Sequence, residues 1–237
     1  MEKQVKMPFW DHVYELRKRL IVLIISIIFC SVLSFLFYPH LFNYIYDVLK
    51  EKLLITEITE GFTTTLSASI TMGIFFSLPI LLFEIILFIF PALKKKEKII
   101  VLVFMTSAFL LFIGGVFFSY KSILPVAVNF FKSDVFFPEN VTRFISYQKF
   151  IDFFFQFLIA FGICFQFPLV LLLLLKLGIL KMATLLKYFR HFIVVIFIVA
   201  AVITPGPDVI SQLLLAIPMI VLYLISIIAG KLLGWGK

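Results

Sequence analysis

The chain has 237 residues, of which 63% are apolar and only 14% charged, with a mean hydropathy of +1.16. A soluble domain carries about 25% charged residues, so this chain has too little polar surface to cover a water-facing globule. The net charge of +8 would suggest nucleic acid in a soluble protein. Here the cations cluster beside apolar runs, which fits topology signals and anionic lipid instead.

Uncharged runs near the ~20 residues needed to cross a hydrocarbon core predict an all-α polytopic membrane protein rather than a barrel. Residues 1–19 are polar and basic and form the N-terminal segment. A short helix is predicted from Trp10 to Arg19, lying along the membrane surface, with the chain turning inward at Leu20. The apolar run from Leu20 to Phe37 is followed by Tyr38-Pro39-His40 and not by a small-x-small cleavage site, which predicts a retained span over 20–38. Residues 39–65 read as a polar loop with a short helix within 41–54.

The second span covers 66–90, interrupted in pattern by Pro79, and Pro91 and a lysine-rich connection close it. The third covers 99–118 and carries Gly114-Gly115, which permit close helix approach. Residues 119–152 form the longest polar connection. The fourth span, 153–175, contains Gln166 and Pro168, and 176–191 is again basic. The fifth, 190–204, holds an apolar run of only 12 residues, about 18 Å of helix. Snorkelling flanks or a thinned bilayer would have to make up the difference. After a tight turn, Thr204-Pro205-Gly206-Pro207-Asp208, the sixth span runs over 212–229 and is also short.

Six spans put both ends on one side. The N-terminal segment, the 91–98 loop, the 176–191 loop and the tail hold 15 of the 21 Lys and Arg, so the positive-inside rule makes both termini cytoplasmic. The opposite loops hold 8 of the 13 acidic residues.

No enzyme constellation is visible. His12, His40 and His191 fall in three separate regions, and there is no metal-binding spacing, phosphate loop or nucleophile turn. No metal or cofactor is expected. Cys30 and Cys164 fall inside spans and read as small core residues. The informative groups are therefore the polar ones in or at the edge of the membrane. Glu84 lies about 9 Å inside the basic side, where a bare carboxylate needs a bundle-facing or wet position. Gln166 lies about 15 Å deep, where an amide is most often an interhelical hydrogen-bond partner. Pro168 frees backbone groups nearby. Asp208 and Gln212 flank the far-side turn, with a helix N-cap as the plain reading.

Four motifs in register resemble those of the TatC family, the receptor subunit of the twin-arginine (Sec-independent) protein translocase. His12-Val-Tyr-Glu15-Leu16-Arg17-Lys-Arg19-Leu20 resembles its N-terminal signature, and Phe88-Ile-Phe-Pro91-Ala-Leu-Lys-Lys-Lys-Glu97 its first cytoplasmic loop. Ala160-Phe-Gly162-Ile-Cys-Phe165-Gln166-Phe-Pro168 resembles its fourth span, and Thr204 to Gln212 its last far-side loop.

The resemblance implies a signal-peptide receptor and core scaffold that exports folded proteins, driven by the proton-motive force. It implies TatA- and TatB-type single-span partners in an oligomeric complex, in a bacterial cytoplasmic membrane in preference to a thylakoid. Its substrates carry two adjacent arginines, which pair best with carboxylates. On that basis Glu15 and Glu97, with Phe88 packed nearby, would bind the signal peptide. His12, Leu16, Arg17 and Arg19 would support that motif, and Gln166, Glu84 and Pro168 would make intramembrane polar contacts. Gln166 stands where the family usually has Glu, and Glu84 where it often has Gln. These departures raise the possibility of a rearranged polar inventory between the two helices. A membrane insertase and a small-solute secondary transporter are the alternatives, the latter disfavoured by the absence of a visible inverted repeat.

Overall fold

The computed structural model describes residues 9–89, 95–133, 144–204 and 208–236. Side chains at 9–13, 82, 85–89, 95–98 and 100 lie outside what it describes. The elements are α1 (Phe9–Leu49), β1 (Leu53–Leu54), α2 (Glu60–Ile89), α3 (Lys95–Phe118), α4 (Leu124–Phe131), β2 (Ile145–Ser146), α5 (Tyr147–Cys164), α6 (Phe167–Lys176), α7 (Met182–Lys187), α8 (Phe189–Ile203) and α9 (Val209–Leu232).

Among the described residues, five helical stretches are long and apolar enough to cross a membrane, and α8 is a shorter apolar helix. The protein is thus a polytopic all-helical membrane protein. Contacts divide it into two compact units, Met1–Leu41 with Thr65–Thr106, and Phe42–Thr64 with Ser107–Lys237.

The surface helix that turns at Leu20 is not present. α1 is one helix of 41 residues, about 62 Å long, some twice a hydrocarbon core. No Gly or Pro between Trp10 and Leu20 gives the chain a place to break. Pro39 sits inside α1 and does not end it, so the short helix expected within 41–54 is instead the continuation of α1 to Leu49.

In the first unit, α1 and α2 meet through small residues. Ser34, Ala68, Ser69, Gly73 and Ser77 are all buried. A Cβ on Gly73 would stand 2.6 Å from the Ser31 backbone nitrogen, so only glycine allows this approach. Small residues are what let membrane helices pack closely when hydrophobic exclusion from water is absent.

The second unit contains the aromatic core. Phe157 and Phe161 stack with centroids 6.3 Å apart, and Phe118 lies 6.0 Å from Phe161. α9 packs along α6 and α8. Its Tyr223 is fully buried, lies 5.1 Å from the Phe192 ring and donates to the Leu185 carbonyl at 2.9 Å. The chain after α9 folds back: Gly236 O accepts from the Met182 N–H at 2.9 Å, and the Lys176 ammonium sits 5.0 Å from the Trp235 ring. This supplies an acceptor to one of the unpaired N–H groups that open α7.

Helix also replaces part of the expected 119–152 connection. A π-helical turn, Ser119–Ile123, leads directly into α4, with Pro125 in its first turn. Between α5 and α6 the fourth apolar stretch is interrupted at Phe165-Gln166, because Pro168 has no N–H and its ring crowds the carbonyl of Cys164. α8, with 15 residues, is about 22 Å long. α9 has 24 residues and runs past both ends of its apolar segment, to about 36 Å.

Candidate functional site

Arg19 is the centre of the polar cluster in the first unit. It lies one helical turn after Glu15, and i,i+4 spacing brings the two side chains together. Its Nη2 donates to Glu15 Oε1, and its Nη1 donates to Glu84 Oε2 on α2 at 2.9 Å. All three side chains are about one-fifth exposed or less, at 17%, 21% and 17% for Arg19, Glu15 and Glu84. Glu84 thus has a guanidinium beside it, which answers the cost of a carboxylate within the span. Arg17 and Lys18 are exposed, as is Leu16. The side chains of His12, Phe88 and Glu97 lie outside the described residues, and so does Pro91.

Gln166 belongs to the second unit. Its Nε2 donates to the Ala108 carbonyl of α3 at 2.9 Å, the interhelical role expected of a deep amide. A weaker approach to Gly162 O measures 3.5 Å. Pro168 is buried in the first turn of α6. Glu84 and Gln166 belong to different units, and each has its own partner.

Asp208 caps α9: its Oδ1 accepts from the Ser211 N–H at 2.6 Å. Gln212 does more than flank the turn, because its Nε2 donates to Phe197 O at 2.9 Å and ties α9 to α8. Pro205, Gly206 and Pro207 lie outside the described residues.

Glu60 was not singled out from the sequence. It is 3% exposed and accepts from five donors: the Thr56 N–H and hydroxyl, the Glu57 N–H at 3.2 Å, the Ser146 hydroxyl at 3.0 Å and the Gln148 N–H at 3.0 Å. One carboxylate thereby joins the start of α2 to the start of α5, beside the parallel ladder Leu53↔Ile145 and Leu54↔Ser146. Lys132 makes a second tie, from its Nζ to Leu49 O at 3.0 Å and to Glu51 at 2.8 Å. No cluster among the described residues has the composition of a metal site.

These features define a polytopic helical membrane protein with polar groups paired between neighbouring helices. The family model for the Sec-independent protein translocase protein (TatC) matches residues 11–218. A protein of that name from Carboxydothermus hydrogenoformans is 36% identical over 95% of this chain and 93% of its own length. One from Aquifex aeolicus is 34% identical over 95% of each chain. A crystal structure described as the twin arginine translocase receptor TatC superposes with a TM-score of 0.79 at 33% identity, over 92% of this chain and 99% of the other. The chain belongs to the TatC family of Sec-independent protein translocase proteins and is a transport component, not an enzyme.

Proposed function

We propose that this chain is the receptor for twin-arginine signal peptides and the core scaffold of a translocase that exports folded proteins. It would act in a bacterial cytoplasmic membrane, with both termini and the basic loops on the cytoplasmic side. Its partners would be TatA- and TatB-type single-span proteins and the signal peptides of folded substrates, in an oligomeric complex. The proton-motive force would supply the energy.

The observation that carries the reading is that the Glu15 carboxylate already holds a guanidinium, that of Arg19, in a partly exposed position near the start of α1. A carboxylate so oriented suits a substrate arginine, and two adjacent arginines call for a second acceptor. Glu97 is assigned that part and Phe88 an apolar contact. His12, Leu16 and Arg17 shape the N-terminal motif around them. Gln166 and Pro168 belong to a polar contact with a partner helix, and Asp208 and Gln212 hold the turn between α8 and α9.

Complementation of an export-deficient strain tests the reading. The double variant Glu15→Ala with Glu97→Ala should abolish export of a twin-arginine substrate while the protein still accumulates in the membrane. A photo-cross-linking twin-arginine peptide should label wild-type protein near both positions, and a Lys-Lys version should not. Full export by the double variant, or equal labelling by both peptides, removes the assignment.

A further inference from the structure

The geometry around Arg19 points to a role that rests on the receptor reading and goes beyond it. In the resting protein the carboxylate assigned to the substrate is occupied. A guest arginine reaches Glu15 only if Arg19 gives up that contact. An arginine cannot be neutralised by losing its proton, so Arg19 needs another anion close by.

Glu84 is that anion. It already accepts from Arg19 Nη1 at 2.9 Å. The guanidinium is not fully engaged where it sits, because Arg19 Nε is buried without a hydrogen-bond partner among the described residues. A small rotation that presents Nη1 and Nη2 together to Glu84 would convert a single contact into a two-bond fork and take Nη2 off Glu15. The formal charges agree. Two carboxylates and one guanidinium leave one negative charge, enough for one incoming guanidinium. A glutamine at position 84 would accept a hydrogen bond but would not draw a cation away from Glu15.

We propose that Arg19 is an internal stand-in for a substrate arginine, seated on Glu15 at rest and transferred wholly to Glu84 when the signal peptide binds. Glu84 then sets affinity without touching the peptide. It fixes the fraction of molecules in which Glu15 is free, and the apparent dissociation constant scales inversely with that fraction.

The test uses the full chain in lipid nanodiscs with a fluorescent twin-arginine peptide, read by anisotropy. Glu84→Gln leaves Arg19 with Glu15 alone and should weaken binding by about tenfold, on the order expected for losing a charge-assisted pair. Arg19→Gln removes the competitor and should tighten binding, and in that background Glu84→Gln should no longer weaken it. Arg19→Lys, whose single ammonium does not form a fork, should shift binding in the same direction as Arg19→Gln by less, and serves if Arg19→Gln does not fold. Loss of binding in both Arg19 variants, or an equal effect of Glu84→Gln with and without Arg19, overturns the stand-in role. Glu15→Gln is the separate control: wild-type affinity in that variant would sink the receptor reading itself, whatever the other variants do.

Discussion

The Gln166 side-chain amide donates to the Ala108 carbonyl at 2.9 Å, joining the end of α5 to α3 at the point where the helix is interrupted ahead of Pro168. A side-chain hydrogen bond between membrane helices contributes about 0.6–2 kcal/mol. Gln166→Leu should lower unfolding stability by roughly that amount, measured by denaturation of the purified protein in mild detergent with increasing SDS. Gln166→Asn, one methylene shorter, should not restore it.

Gly73 faces the backbone of Ser31 with no room for a side chain. Gly73→Val should force α1 and α2 apart and destabilise the first unit by about 1–3 kcal/mol, as overpacking does. Cysteine pairs placed across the two helices, at positions that cross-link in the wild-type background, should lose cross-linking efficiency in that variant.

Tyr223 combines ring packing with one buried hydrogen bond to Leu185 O. Tyr223→Phe keeps the ring and should cost about 0.5–1.5 kcal/mol. Tyr223→Ala should cost about 3–5 kcal/mol, as other large aromatic truncations do. The gap between the two variants in the same denaturation assay separates packing from hydrogen bonding.

Asp208 is the N-cap of α9. Asp208→Ala should cost about 1 kcal/mol and Asp208→Asn much less, because asparagine also accepts from the N–H of the first turn. Equal losses in both would mean that the charge, and not the cap, matters at this turn.

Glu60 gathers donors from two distant stretches. Glu60→Ala should speed hydrogen exchange at Leu53–Leu54 and Ile145–Ser146 together, since one carboxylate holds both strands. Glu60→Gln should produce a smaller effect, because its amide oxygen still accepts from part of the donor set although its amide nitrogen does not.

The features legible in the sequence are those whose cause is local. Hydropathy marks the membrane helices, Asp208 announces a cap by its place before Val209, and Gln166 declares an interhelical partner by its depth. The features that were not legible depend on residues far apart in the chain. Arg19 and Glu84 are 65 positions apart, and Glu60 and Gln148 are 88. Nothing in the spacing of either residue indicates its partner. The continuity of α1 was hidden for a different reason: Pro39 and the charged collar look like boundaries, whereas a proline inside a membrane helix can be accommodated by its surroundings. The four family motifs placed the chain in its family, but they carried no sign that Glu15 pairs with Arg19.

The hydrogen bond from Met182 N–H to Gly236 O bears on how this protein is handled. The final residues act as a wedge under α7, with the Trp235 ring held beside Lys176. An affinity tag or fluorescent fusion should therefore be joined through a spacer placed after Gly236. Trimming the sequence back to Leu233 to shorten such a fusion would strip α7 of the acceptor at its first turn and loosen the segment between α6 and α8.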